Sequence, residues 1–248
     1  MKRVVLCLVS AGALLISPYG HADALTLLSA NTGGTPVDFT VKMQILILMT
    51  LLSLLPVLVL MMTSFTRFVI VLSLLRQALG LQSGLPNRII TGIALTLTLL
   101  VMRPVGLEVW NKALQPFDQD KITMLQALEV GAASMSRFML AQTSKTALAQ
   151  VAKLSGEAQI SDPTQHAFTV KLAAFMLSEL KTAFQIGCML FIPFLVIDLV
   201  VSSVLMAMGM MMMSPLVISL PLKLLLFVLI DGWTLTVNTL ITSVQTVS

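Results

Sequence analysis

The side chains that could do chemistry in this sequence are charged residues set inside strongly apolar segments. They are Glu179, Lys181, Asp198, Lys223 and Asp231. Because a charge at the centre of a bilayer costs about 3 kcal/mol, these side chains are expected to face protein or water. Glu179 and Lys181 are two residues apart and point to different sides of a helix. The sequence therefore favours interhelical ion pairs that hold an assembly over a proton relay.

Other reactive groups are scarce. Without its first 24 residues the chain would keep one histidine, His166, and one cysteine, Cys188. A metal site or a nucleophile with its base needs several such groups close together. His166 lies in a polar connector and is predicted to be a surface histidine. The scattered Lys and Arg residues form no basic cluster for nucleic acid. The sequence predicts no metal, no cofactor and no enzyme activity.

A methionine-rich stretch at residues 206–215 separates two apolar segments. It reads Met-Ala-Met-Gly-Met-Met-Met-Met-Ser-Pro and holds six of the 17 methionines. Methionine is unbranched and polarizable and adapts to irregular contacts. Beside a glycine and a proline, the run predicts a soft apolar surface at a break in a helix. The pattern alone leaves open whether this surface is packing material, a lipid contact or a seal.

The composition shows what kind of fold must position these residues. Hydrophobic residues make up 57% of the 248 residues and charged residues only 10%, whereas soluble domains average roughly 45–50% and about 25%. This balance indicates an integral membrane protein or a subunit buried in an apolar assembly. We predict an all-α fold of long kinked helical hairpins with a helical insertion.

The first segments indicate export of the N-terminus. Residues 1–24 have the pattern of a cleaved signal peptide, in which Lys2 and Arg3 precede an apolar run and Ala22 or Ala24 marks the cleavage region. An uncleaved first membrane anchor is the alternative. Residues 25–42 are predicted to form a short arm on the exported side of the membrane.

The remaining chain divides into two apolar hairpins around an insertion. The first hairpin is residues 43–107, where Arg67, Arg76 and Arg88 connect two apolar runs without an acid, and this places the connection in the cytoplasm. Gly80 is expected to cap the helix before it. Residues 108–168 carry mixed charges. This pattern predicts a helical insertion outside the cytoplasm. Residues 169–248 form the second hairpin, which contains the methionine-rich stretch.

Prolines within the second hairpin predict interruptions of its helices. Pro193, Pro215 and Pro221 lie inside apolar runs. Because proline lacks a backbone N–H group and clashes with the preceding turn, we expect a break at each of these three positions.

Several motifs resemble those of the FliP family of flagellar export-gate proteins. Those motifs are Thr63–Arg67, Leu75–Gly80, Ser178–Val200, Met208–Met212, Ser219–Lys223 and Phe227–Trp233. The virulence-type secretion family is similar at the same places. The predicted signal peptide and the insertion motifs Gln115–Phe117 and Ile122–Met124 favour the flagellar branch.

The resemblance implies a function and a set of partners. Such proteins form a pentamer with FliQ and FliR, next to FlhB, FlhA and the MS ring of the basal body, in the bacterial inner membrane and largely at its periplasmic side. Their gate passes unfolded rod, hook and filament subunits. The family's methionine gasket corresponds to Met210, Met211 and Met212, with Met208 and Met213 adjacent.

Two functions of other classes compete with the export gate. An ion-coupled small-molecule transporter could use Glu179, Lys181 and Asp198 at mid-membrane, but such transporters often contain two similar halves and the sequence shows no convincing internal repeat. A proton-conducting channel would need one acid in an otherwise uncharged helix, and the chain lacks that arrangement.

Overall fold

The computed structural model describes residues 36–81, 84, 86–157, 159–160, 162–210 and 214–244. Ala22 and Ala24 of the predicted cleavage region lie outside the described residues, and so do Met211, Met212 and Met213. Every regular element in the described part of the chain is a helix. The predicted all-α fold class is therefore confirmed.

Nine α-helices are described and are numbered here in chain order. They are α1 Pro36–Met61, α2 Phe65–Ala78, α3 Asn87–Val109, α4 Gln115–Asp118, α5 Met124–Gln142, α6 Lys145–Leu154, α7 Phe168–Ala207, α8 Pro215–Leu229 and α9 Gly232–Ser243. A π-helical turn, Trp110–Leu114, joins α3 directly to α4. The helix that begins at Asn87 thus continues to Asp118. It extends beyond residue 108, where the sequence changes from apolar to mixed charges.

Three of the described helices are long and apolar enough to cross a membrane. They are Met43–Met61, Asn87–Asp118 and Phe168–Ala207. The pair α8 and α9 passes the same test together but is bent by 66°, which raises the number of possible spans to four. The chain therefore has the helices that its apolar composition predicts.

The chain divides into two compact units after residue 54. Within the first unit, the described side chains from Met43 to Leu54 are all exposed. The second unit, residues 55–248, contains the described core.

Helix α2 lies at the centre of this core. Its apolar residues recur at helical spacing, so that Phe68, Val71, Leu72 and Leu75 are all buried. The first three join a cluster that includes Phe175 of α7. Burial of each such side chain contributes about 1.5–3 kcal/mol. Helix α2 is therefore the element against which the long helix α7 and the shorter α3 pack.

Helix α2 ends in a glycine cap, as predicted. Gly80 has a φ of +75°, a left-handed conformation that glycine adopts without a Cβ penalty. The Gly80 N–H donates to the Gln77 carbonyl at 3.0 Å and the Leu81 N–H donates to the Arg76 carbonyl at 3.1 Å. These two bonds form a Schellman motif, which satisfies the last carbonyls of α2.

The predicted interruptions at Pro193 and Pro221 are wrong. Helix α7 runs for 40 residues through Pro193, and α8 runs through Pro221. A proline removes one backbone hydrogen bond, and membrane helices tolerate this loss where neighbouring groups compensate. Pro215 instead occupies the first position of α8, where a proline N–H would have no helical partner in any case.

Candidate functional site

The methionine-rich stretch begins at the end of the 40-residue helix α7. Met208 is the C-terminal cap of α7, and Gly209 follows with a φ of +73°. The Gly209 N–H donates to the Met206 carbonyl and the Met210 N–H donates to the Leu205 carbonyl, both at 3.0 Å. This is again a Schellman motif, so a glycine at position 209 ends the helix where the methionines begin.

The described methionines of this stretch are exposed. Met206, Met208 and Met210 are 61%, 67% and 40% exposed, respectively. Helix α7 thus ends in side chains that lie on the surface of the chain, rather than in its core. Their apolar, adaptable surface is available for contact with another molecule.

An apolar cleft lies beside these methionines, between α7 and α8. It has a volume of about 420 Å³ and is lined by Val200, Val201, Val204, Leu205, Met208, Met210, Ile218 and Leu222. A second apolar cleft of about 360 Å³ shares Val200, Val201 and Leu222 with it. The α7–α8 hairpin therefore exposes a continuous apolar groove that leads to the methionine-rich stretch.

A buried ion pair connects α2 to α7. The Arg67 Nε donates to Oε2 of Glu179 at 2.8 Å, and the Arg67 Nη2 donates to Oε1 of Glu179. Both side chains are almost completely inaccessible, at 2% and 0%. Two parallel bonds of this kind are the strongest arrangement for a guanidinium and a carboxylate. Glu179 therefore has its partner within the same chain.

Arg67 also ties the end of α9 to this pair. Its Nη1 donates to the Ser243 carbonyl at 2.7 Å and to the Ser243 hydroxyl at 3.1 Å. On the insertion side, the Ser144 N–H donates to the Ser178 hydroxyl at 3.0 Å, and that hydroxyl donates to the Gln142 carbonyl at 3.2 Å. The Arg67 Nη2 also donates to Oε1 of Gln142 at 3.5 Å. The network around Arg67 thus joins α2, α7, α9 and the connection between α5 and α6.

A second charged contact joins three helices at the other end of α2. Lys223 of α8 is buried, and its Nζ donates to Oδ2 of Asp198 on α7 at 2.6 Å. The same Nζ donates to the Ala78 carbonyl at 3.0 Å. This carbonyl belongs to the last turn of α2, whose negative dipole end favours a cation. Lys223 therefore holds the α7–α8 hairpin against the C-terminus of α2.

The other charged residues selected from the sequence lie apart from these two networks. The Arg76 Nη1 donates to Oδ1 of Asn87 at 2.6 Å, a contact that bridges the connection between α2 and α3. Lys181 and Asp231 are both exposed. The structure therefore brings together Arg67 with Glu179 and Asp198 with Lys223, while Lys181 and Asp231 remain at the surface.

The prediction that His166 is a surface histidine is wrong. His166 is only 6% exposed, and its Nδ1 lies 2.9 Å from Oε2 of Glu157. The same carboxylate oxygen accepts the Ala167 N–H at 3.1 Å. These hydrogen bonds, chiefly the one with His166, hold the pKa of Glu157 below its ordinary value. This contact joins the two ends of the connection between α6 and α7.

Sequence reasoning missed the polar side chains that complete the networks. Gln142 and Ser243 lie outside the family motifs, and Ser178 lies at the edge of one that says nothing of its partners. The role of all three depends on tertiary contacts. Among the residues that the structure describes, no group of three or more His, Cys, Asp or Glu side chains could hold a metal ion.

Comparison with known proteins decides the family. A model of the FliP family matches residues 48–240. The chain belongs to the FliP family. The resemblance inferred from its motifs is thereby confirmed, and the match includes α2, α7, α8 and both charged networks except Ser243.

Individual relatives agree with this assignment. Flagellar biosynthetic protein FliP of Cereibacter sphaeroides is 48% identical over 233 residues, which cover 94% of this chain and 77% of the relative. The protein of the same name from Pectobacterium carotovorum subsp. carotovorum is 48% identical over 232 residues, covering 94% and 90%. That of Bacillus subtilis (strain 168) is 44% identical over 211 residues, covering 84% and 94%.

Proposed function

We propose that this protein is a pore-forming subunit of the flagellar type III protein export gate and passes unfolded rod, hook and filament subunits across the inner membrane. Membership of the FliP family supports a role in flagellar biosynthesis. The observation that carries the pore-forming role is the exposure of Met208 and Met210 at the end of a 40-residue helix.

Methionines suit a seal around varied unfolded chains. A pore for such cargo must deform around different side chains and yet hold back ions. Hydrophobic constrictions close to ions by dewetting, and methionine side chains repack around different surfaces. With several copies around an axis, Met208 and Met210–Met213 of each copy would form an apolar ring.

The proposal includes a setting in the membrane and a set of partners. The chain would lie in the inner membrane, with its N-terminus and residues 108–168 on the periplasmic side. A homo-oligomer would assemble with FliQ and FliR next to FlhB, FlhA and the MS ring. In this setting the chain guides cargo, and other components supply the energy, so the subunit itself needs no catalytic residue.

The buried charges favour the gate over the competing transporter. The carboxylates of Glu179 and Asp198 are already engaged by Arg67 and Lys223. A coupling site must leave its carboxylates free to bind and release an ion. These two are instead bonded to cations that fasten helices, which is the role expected of a structural subunit.

Replacement of the gasket methionines tests the pore. We expect Met210→Ala, Met211→Ala and Met212→Ala combined to let ions leak through assembled complexes, because the smaller side chains leave a wetted opening. Ion leakage is measured with a membrane-potential dye, and assembly by the mass of the detergent-extracted complex. An assembled variant with the wild-type leak rate would contradict the seal.

Two controls make this test specific. The combined Met→Leu variant keeps the apolar volume and should remain sealed or nearly so. Met189→Ala changes a methionine that is 73% exposed on α7 but far from the turn at Gly209, and it should not leak. Leakage of all three variants to the same extent would show a general loss of integrity rather than an opened seal.

A further inference from the structure

Two opposite charges in the second apolar hairpin have no partner among the residues that the structure describes. Glu179 pairs with Arg67, and Asp198 pairs with Lys223. Within the described residues, the side chains of Lys181 and Asp231 make no hydrogen bond or ion pair. Both side chains are exposed. The described part of the hairpin thus presents an unpaired cation, Lys181, and an unpaired anion, Asp231.

Asp231 is held in an unusual conformation. It has φ and ψ of 50° and 53°, in the left-handed region, and it is the N-terminal cap of α9 without a side-chain capping bond. An aspartate at this position usually accepts a backbone N–H of its own helix. A non-glycine residue in the left-handed region is strained and is retained where the surroundings impose it. The carboxylate of Asp231 therefore remains available for a contact outside α9.

Apolar surface surrounds both charges. The residues before Asp231, namely Val228, Leu229 and Ile230, are 50–74% exposed. On α7, Leu177, Leu180 and Phe184 near Lys181 are 36–52% exposed. A charge in such surroundings is costly unless it meets water or an opposite charge. Both sites therefore have the features of a protein interface, which are an apolar patch and one polar group that requires a partner.

The two charges lie too far apart to meet within one chain. Helices α7 and α8 are antiparallel, with Asp198 bonded to Lys223 and the rings of Phe194 and Phe227 6.2 Å apart. Continuing this register places Asp231 near the level of Leu190. Lys181 lies nine residues farther along α7, which corresponds to about 14 Å at 1.5 Å per residue. An ion pair requires an approach within about 4 Å.

We propose that Lys181 of one copy forms an ion pair with Asp231 of a second copy of this chain. Each copy supplies one of each charge, so identical copies neutralise every such site without any other molecule. The contact joins two different patches and is therefore heterologous, which generates a ring or a helical array. The inference rests on the proposed function in that it requires several copies in one gate.

Disulfide cross-linking tests the contact directly. In a background of Cys7→Ser and Cys188→Ser, the pair Lys181→Cys and Asp231→Cys should give cross-linked dimers and a ladder of higher oligomers in native membranes, because each copy offers both cysteines. The matched pair Lys181→Cys and Leu235→Cys uses a residue one turn beyond Asp231 that is 52% exposed, and it should cross-link far less. Equal cross-linking of both pairs, or none of either, would overturn the inference.

Charge reversal tests the energetic role of the pair. Lys181→Asp or Asp231→Lys alone should lower the yield of the oligomer about tenfold, equivalent to about 1.4 kcal/mol, and the two together should restore it. A double variant that is no better than the worse single variant contradicts the pair. If Lys181→Asp matters only in membranes rich in anionic lipid, Lys181 contacts a lipid phosphate and the inference is overturned.

The results separate this contact from the proposed function. If the wild-type chain forms the export complex but the variant with Lys181→Cys and Asp231→Cys gives no cross-link, the contact is overturned and the gate proposal stays intact. A wild-type chain that is monomeric in its native membrane would overturn both.

Discussion

At the scale of single residues, the ion pair of Arg67 and Glu179 can be buried because its polar atoms have hydrogen-bond partners. Arg67 donates to both oxygens of Glu179 and to Ser243, so little of its hydrogen-bonding capacity is lost when it leaves water. A buried pair of this kind need not be more stable than an apolar one of the same size. In the observed arrangement the guanidinium of Arg67 in α2 bonds to α7 and to α9, so it fastens the three helices at one point.

Substitutions of Arg67 and Glu179 are expected to have non-additive effects on the free energy of unfolding. Arg67→Met or Glu179→Leu alone should lower the free energy of unfolding by about 3–5 kcal/mol, because each leaves an unpaired buried charge. The double variant should lose much less than the sum of the two. Denaturant titration of the detergent-extracted protein measures these changes.

An exposed pair provides the control for this double-mutant cycle. Lys112 is 53% exposed and bonds to Glu108 at 2.7 Å, so Lys112→Met should change the free energy of unfolding by about 1 kcal/mol or less. Additive losses in the Arg67 and Glu179 variants would show that the two side chains do not act as a pair.

At the scale of elements, the connections between helices are set by local backbone and close packing. The bend between α8 and α9 measures 66° and contains Asp231 and Gly232. Phe227 stacks edge to face with Trp233, with ring centroids 5.2 Å apart. A Cβ atom at Gly232 would lie 2.3 Å from ring carbons of Phe227. The bend therefore requires the smallest residue at its inner side.

The packing at the bend predicts opposite effects for two glycine substitutions. Gly232→Ala should destabilise the protein by about 1–3 kcal/mol, because the aromatic ring must move to make room. Gly106→Ala in α3 is the matched control, since nothing lies within 4 Å of a Cβ there, and alanine should stabilise that helix by about 0.5–1 kcal/mol. Unfolding midpoints compare the two, and a neutral Gly232→Ala would contradict the close packing.

At the scale of the whole molecule, the apolar helices and two arginines support the membrane orientation proposed above. Three of the described helices, or four with the bent pair, are long and apolar enough to span the bilayer. Arg76 and Arg88 lie next to the connection between α2 and α3, and positive residues favour the cytoplasmic side. Arg67 lies in the first turn of α2, where it is paired with Glu179. The proposed orientation follows, with residues 108–168 on the opposite side.

Cysteine labelling checks this orientation. In a background of Cys7→Ser and Cys188→Ser, Gln150→Cys of the insertion should react with a membrane-impermeant maleimide added to spheroplasts. Gly84→Cys, in the connection after α2, should react only after permeabilisation. Both positions are exposed, so access to the reagent depends on the side of the membrane, and the reverse labelling pattern would contradict the orientation.

The sequence by itself determined those features that depend on neighbouring residues along the chain. The apolar runs predicted the all-α fold, the spacing of Phe68, Val71 and Leu72 matches the buried face of α2, and Gly80 predicted the helix end. Each follows from helical periodicity or from the conformation of one residue. The family motifs were readable for the same reason, because they are short continuous strings.

Only the tertiary structure decided the features that depend on how helices lie against each other. Arg67 and Glu179 are 112 residues apart, and no local pattern indicates which cation a buried carboxylate meets. The burial of His166, the contact of Lys223 with the Ala78 carbonyl and the space taken by Phe227 at Gly232 likewise arise from the packing of separate elements. Helices α7 and α8 also continue through Pro193 and Pro221, which a local rule for proline did not predict.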